Sequence, residues 1–255
     1  VLYHKMSLSK INPTMTPAWK MLLKKSEELV DAKIIDLFAN SNNRIEEFSI
    51  DFENMFLDFS KNIIDKETFE LLLKLCENCK LKKNINSLFN GDKINETENR
   101  SVLHTALRDF NLNSEIGKEL LSDRQKIKKF TSDILSGKTK GSTNKKITDI
   151  VNVGIGGSDL GPNMVIESLK FYRTELNCHF VSNVDGDHLS EILKVINPET
   201  TLFVIVSKTF TTQETLTNAK KIKEFLERRS IDDISKHFIG VTSNIKYALE
   251  FGLDK

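Results

Sequence analysis

From residue 147 onward the chain repeats one pattern: a short β-branched run, a turn of Gly, Asn, Asp or Ser, then a stretch of helical periodicity. The runs lie at 147–154, 179–184, 201–207 and 237–242, and the helical stretches at 160–173, 189–195, 212–229 and 245–251. Strands separated by helices cannot pair through tight hairpins, because each helix carries the chain back to the end where it started and the next strand runs parallel. The expected fold class is α/β, a doubly wound parallel sheet. Ligands in such sheets bind beyond the C-terminal ends of the strands, above all where the strand order reverses, so function is expected in the strand-to-helix loops.

The residues before about position 145 read differently. Apolar positions three and four apart over 18–38, 52–64, 66–79 and 112–136 predict amphipathic helices. Leu71, Leu72, Leu75 and Cys79 form one such stripe, a seam that faces a core and carries no chemistry. The expected organisation is a helical segment over 1–145 followed by an α/β domain over 146–255.

Charge narrows the function. Lys and Arg number 37 against 36 Asp and Glu, and the lysines at 24–25, 126–129 and 220–223 are interleaved with acids, as on solvated helix faces. A polyanion binder needs clustered cations to displace counterions, so neither nucleic acid nor a membrane surface is an expected partner. No window approaches the roughly 20 apolar residues of a bilayer span, and no apolar stretch with a cleavage site opens the chain. A cytoplasmic protein is expected. Three cysteines make no disulfide framework, and Cys76 and Cys79 sit inside a helical apolar pattern without a second pair, which favours packing over a zinc or redox site. No metal or cofactor is expected.

Two loops carry chemistry. Gly154-Ile155-Gly156-Gly157-Ser158-Asp159-Leu160-Gly161-Pro162 follows the first strand and opens a helix. Its glycines admit positive φ and close backbone approach, and the helix N-terminus adds a dipole that favours an anion. A dinucleotide fingerprint starting at Gly154 would need glycine where Asp159 stands, and a P-loop starting at Gly156 would need lysine at Pro162. Both nucleotide readings fail, which leaves a phosphate cradle or a plain turn. The second loop, Ser207-Lys208-Thr209-Phe210-Thr211-Thr212-Gln213-Glu214-Thr215, follows the third strand and offers one ammonium and several hydroxyls beside another helix start. Thr211 and Glu214 have capping-box spacing, while Ser207, Lys208, Thr209 and Thr212 are expected to face a ligand. A strand order of 2-1-3 would bring the two loops together at the switch point.

These loops, in this order and spacing and with Ser182-Asn183-Val184-Asp185-Gly186 between them, closely resemble the sugar-isomerase (SIS) core of the glucose-6-phosphate isomerase family. Upstream, Lys93-Ile94-Asn95, Thr97-Glu98-Asn99-Arg100, Val102 to Arg108, and Ile11-Asn12-Pro13 through Trp19 resemble the same family's helical N-terminal region. The resemblance starts around Met6, with residues 1–5 upstream of the natural start. It implies an SIS-type αβα sandwich and interconversion of glucose 6-phosphate and fructose 6-phosphate through an enediol, without a redox cofactor or essential metal, in a homodimer. It places the substrate phosphate on Gly157, Ser158, Ser207, Lys208, Thr209 and Thr212. The family's catalytic glutamate, its ring-opening histidine and lysine, and its second SIS domain correspond to sequence beyond residue 255, so no catalytic residue is expected in this chain and the isolated chain is expected to be nearly inactive. The segment between Arg108 and Phe130 is shorter than the family's usual one. Two other classes compete: a non-catalytic phosphosugar-binding SIS regulator, which would be expected to carry a basic DNA-binding helix, and a nucleotide-dependent oxidoreductase, which the failed fingerprint disfavours. His104 in a predicted helix and His179 in a strand read as structural. His188, Asp185 and Asp187 receive no role, and Glu98 with Arg100 reads either as a tie between the helical segment and the SIS core or, more plainly, as an ion pair.

Overall fold

The computed structural model describes residues 8–108, 114–231 and 233–254. The start at Met6, and positions 112–113 of the helix expected over 112–136, fall outside them. The chain divides into two compact units, Val1–Leu121 and Ser122–Lys255.

The first unit is mainly helical. Helix α1 (Pro17–Glu28) starts where its sequence says it should: the Thr16 hydroxyl accepts the Trp19 N–H at 3.3 Å, and Pro17 occupies the first position, where a missing N–H costs nothing. It ends at Glu28, earlier than the expected 38, as the chain reaches the weak helix formers Val30 and Asp31. A short α2 (Ile34–Ala39) and the single turn α3 (Arg44–Glu47) follow.

The helix expected over 52–64 does not form. Instead β1 (Ser49–Phe52) and β2 (Met55–Asp58) make an antiparallel hairpin whose two-residue turn places Glu53 at φ 52°. The reason lies outside the segment. Arg44, 3 % exposed, donates to the carbonyls of Ser60, Asn62 and Ile64 at 2.8–2.9 Å, which takes the Ser60 carbonyl that such a helix would use internally and ties the following turn to one guanidinium. The same guanidinium lies 4.4 Å from the Phe48 ring centroid, and Phe48, Phe59 and Phe69 pack as an aromatic cluster. Helix α4 (Lys66–Asn78), capped by Asp65 at 2.8 Å, then buries Leu71, although Leu72 of the expected stripe remains exposed. Helix α5 (Leu81–Phe89) belongs to this unit, and α6 (Glu115–Leu135) starts in it and continues past Ser122 into the second. Cys76 and Cys79 are free thiols.

The second unit is the expected α/β fold. Strands β3 (Asp149–Val153), β4 (Asn177–Val181), β5 (Thr201–Val206) and β6 (Phe238–Val241) form one parallel sheet in the order β4-β3-β5-β6. Helices α7 (Gly157–Ser168), α8 (Gly186–Val195), α9 (Gln213–Glu227) and α10 (Ile245–Phe251) follow the strands in turn. Chain order runs from β3 outward to β4, then back past β3 to β5 and β6. Right-handed crossovers therefore put α7 on one face of the sheet and α8 and α9 on the other. The burial agrees. Val151, Val153, Val181, Phe203 and Ile205 meet Leu189, Ala219, Ile222 and Leu226 in a core where most side chains are fully buried, each such aliphatic contributing about 1.5–3 kcal/mol. The α7 face is thinner, and Leu160 and Met164 on that helix, with Leu169 just after it, are largely exposed.

Candidate anion-binding site

The strand order places the switch point between β3 and β5, which pair directly with Val153 opposite Ile205. Both loops singled out from sequence leave the C-terminal ends of these adjacent strands, whose backbones lie about 4.8 Å apart. The fold thus brings Gly157 and Ser158 to the same end of the sheet as Ser207, Lys208, Thr209 and Thr212.

The first loop is shaped by missing side chains. A Cβ on Gly154 would lie 2.8 Å from the Ser158 Cβ and 2.9 Å from the Ser158 carbonyl oxygen, so only glycine lets the strand end this close to the helix start. Gly156, the N-cap of α7, sits at φ 60° and ψ −121°, a region that side chains exclude. The turn closes through the Ser158 N–H to Ile155 O at 3.2 Å and the Asp159 N–H to Gly156 O at 3.0 Å. Pro162 has no N–H to give the Ser158 carbonyl four residues earlier, and the Asn152 side-chain amide donates to that carbonyl instead at 3.0 Å. With the N–H groups of Ser158, Asp159 and Leu160 already used inside the turn, what this loop offers an anion is the Ser158 hydroxyl, the Gly157 backbone and the dipole of a 12-residue helix.

The second loop is built from polar side chains. Ser207, only 2 % exposed, lies within 3.1 Å of the Thr212 hydroxyl, while Lys208 and Thr209 are exposed. Thr212 is the N-cap of the 15-residue helix α9. The capping box expected from Thr211 and Glu214 is absent: no side chain caps this helix, and the Thr211 hydroxyl pairs with that of Thr209 at 2.6 Å. This leaves the α9 N-terminus without an internal side-chain acceptor on its first N–H groups, the arrangement an anion can use. Phe210 takes φ 55° without being glycine, with its ring buried to 2 % and 5.9 Å from that of Phe251.

Sequence reasoning missed a third loop at this end of the sheet. After β6, the Ser243 N–H and hydroxyl donate to the Lys208 carbonyl at 3.0 and 2.7 Å, the Thr242 hydroxyl donates to the same oxygen at 3.1 Å, and the Asn244 amide reaches the Thr209 carbonyl at 3.2 Å. Its signal was the one already in use, a polar run between a strand and a helix, without the lysine or glycines that drew attention elsewhere.

Several of the residues without an assigned role have structural partners. Asp185 caps α8 by accepting the Asp187 and His188 N–H groups. His179 bonds Asp149 at 2.9 Å, toward the start of β3 and away from the switch point. His104 lies in a turn rather than a helix, since the short 3-10 turn begins only at Ala106. Glu98 and Arg100 form the ion pair at 2.6 Å. His237, which sequence did not single out, is fully buried, with its two ring nitrogens engaged by Thr201 O at 2.8 Å and the Ser142 N–H at 3.0 Å. Burial pushes the Cys178 thiol up, despite the opposing charge of Arg173, which is unsuited to nucleophilic chemistry. Among the described residues no three His, Cys, Asp or Glu side chains come together as a metal site, and no helix is long and apolar enough to cross a membrane.

The family model of phosphoglucose isomerase matches residues 58–255, which includes both loops and all four parallel strands. The chain belongs to the phosphoglucose isomerase family. Among members of that family, the glucose-6-phosphate isomerase of Christiangramia forsetii is 50 % identical over 254 residues, an alignment covering 97 % of this chain and 47 % of the relative. The crystal structure of a glucose-6-phosphate isomerase from Chlamydia trachomatis superposes with a TM-score of 0.72 at 26 % identity, over 91 % of this chain and 45 % of that one. The chain spans about half the length of these phosphoglucose isomerases.

Proposed function

We propose that this chain supplies the phosphate-anchoring part of a glucose-6-phosphate isomerase, which interconverts glucose 6-phosphate and fructose 6-phosphate. The observation that carries the reading is the meeting of two independently anion-suited loops at the β3–β5 switch point in a chain of this family. Lys208 supplies the charge that a phosphate dianion needs. Ser158, Ser207, Thr209 and Thr212 supply hydroxyls, and Gly157 supplies backbone beside a helix N-terminus. A phosphate held there fixes the sugar carbons relative to a base, so binding free energy far from the reacting carbons lowers the barrier by orientation. The base itself is expected outside these 255 residues, as are the groups that open the ring. We place the protein in the cytoplasm, in glycolysis and gluconeogenesis, and as a homodimer, on the strength of the family reading alone.

A coupled isomerase assay tests the proposal on the chain as it stands and on the gene extended beyond Lys255. Turnover only in the longer product is the expected result. Turnover in neither would instead favour a phosphosugar-binding protein without catalysis.

A further inference from the structure

We infer that Ser243 is a positioning residue for the anion loop, acting through the Lys208 carbonyl, in the reading just proposed and on which this inference rests. Three donors converge on that one oxygen, the Ser243 N–H at 3.0 Å, the Ser243 hydroxyl at 2.7 Å and the Thr242 hydroxyl at 3.1 Å. A carbonyl has two lone pairs, so three donors exceed what a turn needs to satisfy one acceptor, the more so for an exposed one that water could serve. The Asn244 amide takes the next carbonyl, that of Thr209, at 3.2 Å.

The consequence is electrostatic and follows from peptide geometry. In a trans peptide the C=O and the following N–H point in opposite directions. Holding the Lys208 carbonyl against the β6–α10 loop therefore turns the Thr209 N–H away from that loop. It also turns the negative ends of two successive peptide dipoles toward the β6–α10 loop. An anion-binding turn needs this polarity, because a single carbonyl swung toward a phosphate would oppose the N–H groups beside it.

The loop cannot supply the shape alone. It contains no glycine between Ser207 and Thr215, and it forces Phe210 into a left-handed conformation at φ 55° that a bulky residue adopts only when its surroundings require it. On one side the Phe210 ring is locked in the core beside Phe251. On the other, Ser243 and Thr242 hold the carbonyl two residues earlier. The β6–α10 loop thus does for the second anion loop what glycine does for the first.

The test is calorimetric titration of the full chain with glucose 6-phosphate, in the wild type and in Ser243→Ala, Ser243→Thr, Lys208→Ala, Ser158→Ala and the Ser243→Ala/Lys208→Ala pair, with thermal melts as a folding control. Ser243→Ala is expected to weaken binding about threefold to tenfold, the range of one lost hydrogen bond, and Ser243→Thr, which keeps the hydroxyl, to restore it to within about twofold. On the Lys208→Ala background the further loss is expected to shrink below about twofold, because two residues acting through one loop are not additive. If Ser158→Ala and Lys208→Ala weaken binding while Ser243→Ala does not, or if the Ser243→Ala loss is the same in both backgrounds, the positioning role is wrong and the anchor stands. Unchanged binding in Ser158→Ala and Lys208→Ala would remove the anchor itself and this inference with it. Should Ser243→Ala fail to fold, Thr242→Val removes a second hydroxyl from the same carbonyl and carries the same expectations.

Discussion

The two candidate anion loops solve one problem of shape by opposite means. The β3–α7 loop bends sharply because Gly154 and Gly156 have no side chains to obstruct it, and its conformation is written in those two positions. The β5–α9 loop contains no glycine, yet holds Phe210 at φ 55° because the core grips the ring and the β6–α10 loop grips the Lys208 carbonyl. A loop shaped by omission is local and cheap to specify. A loop shaped by bracing can carry more functional side chains, at the cost of depending on residues 30 or more positions away, as with the 35 positions that separate Ser243 from Lys208.

Substitutions separate the two strategies. The largest effect is expected for Phe210→Ala, which removes a core ring from the braced loop and should destabilise by about 3–5 kcal/mol in denaturant titration. A loss under about 1 kcal/mol would show that the ring does not hold the loop and would break the comparison. Gly154→Ala comes next. Its new Cβ would meet Ser158 at 2.8 Å, and overpacking of this kind costs about 1–3 kcal/mol, with phosphosugar affinity falling in parallel because Ser158 itself must move. A variant as stable and as tightly binding as wild type would mean that the first loop has slack the structure does not show.

Lys208→Ala should leave the melting temperature nearly unchanged yet lower affinity for glucose 6-phosphate about tenfold to a hundredfold, the range for losing a hydrogen bond to a charged group. Its binding should also become less sensitive to added salt, readable by titration at two ionic strengths. The smallest effect is reserved for Thr211→Ala. Because Thr211 does not cap α9, stability should change by less than about 0.5 kcal/mol, whereas a true cap would cost about 1 kcal/mol.

The α/β half was readable from sequence because its signals are local. The strands are β-branched runs bounded by Gly, Asn, Asp and Ser, and the helices show their periodicity within a dozen residues. The 2-1-3 strand order, which the two loops required if they were to leave neighbouring strands, is the one the sheet adopts. The first unit resisted the same method at residues 52–64. Phe52, Met55, Phe56 and Leu57 suggest a helical stripe, but all four remain more than half exposed on a hairpin, while Arg44 takes the carbonyls of Ser60, Asn62 and Ile64 that follow. Nothing in the spacing of 52–64 announces a guanidinium at position 44.

The sequence by itself determined the loop that depends on glycine, the identity of the charged residue in the other candidate loop, and the parallel sheet that presents both. These are properties of single residues and short windows, where backbone freedom, charge and hydrophobic period act without help. Only the tertiary structure decided the conformation of Lys208 to Phe210, the absence of a cap at Thr211, the partner of the Ser158 carbonyl and the burial of His237 between Thr201 and Ser142. Each of these is a hydrogen bond or packing contact with a group made available by folding, and a donor six or 35 residues away in sequence becomes the nearest one only once the sheet has formed.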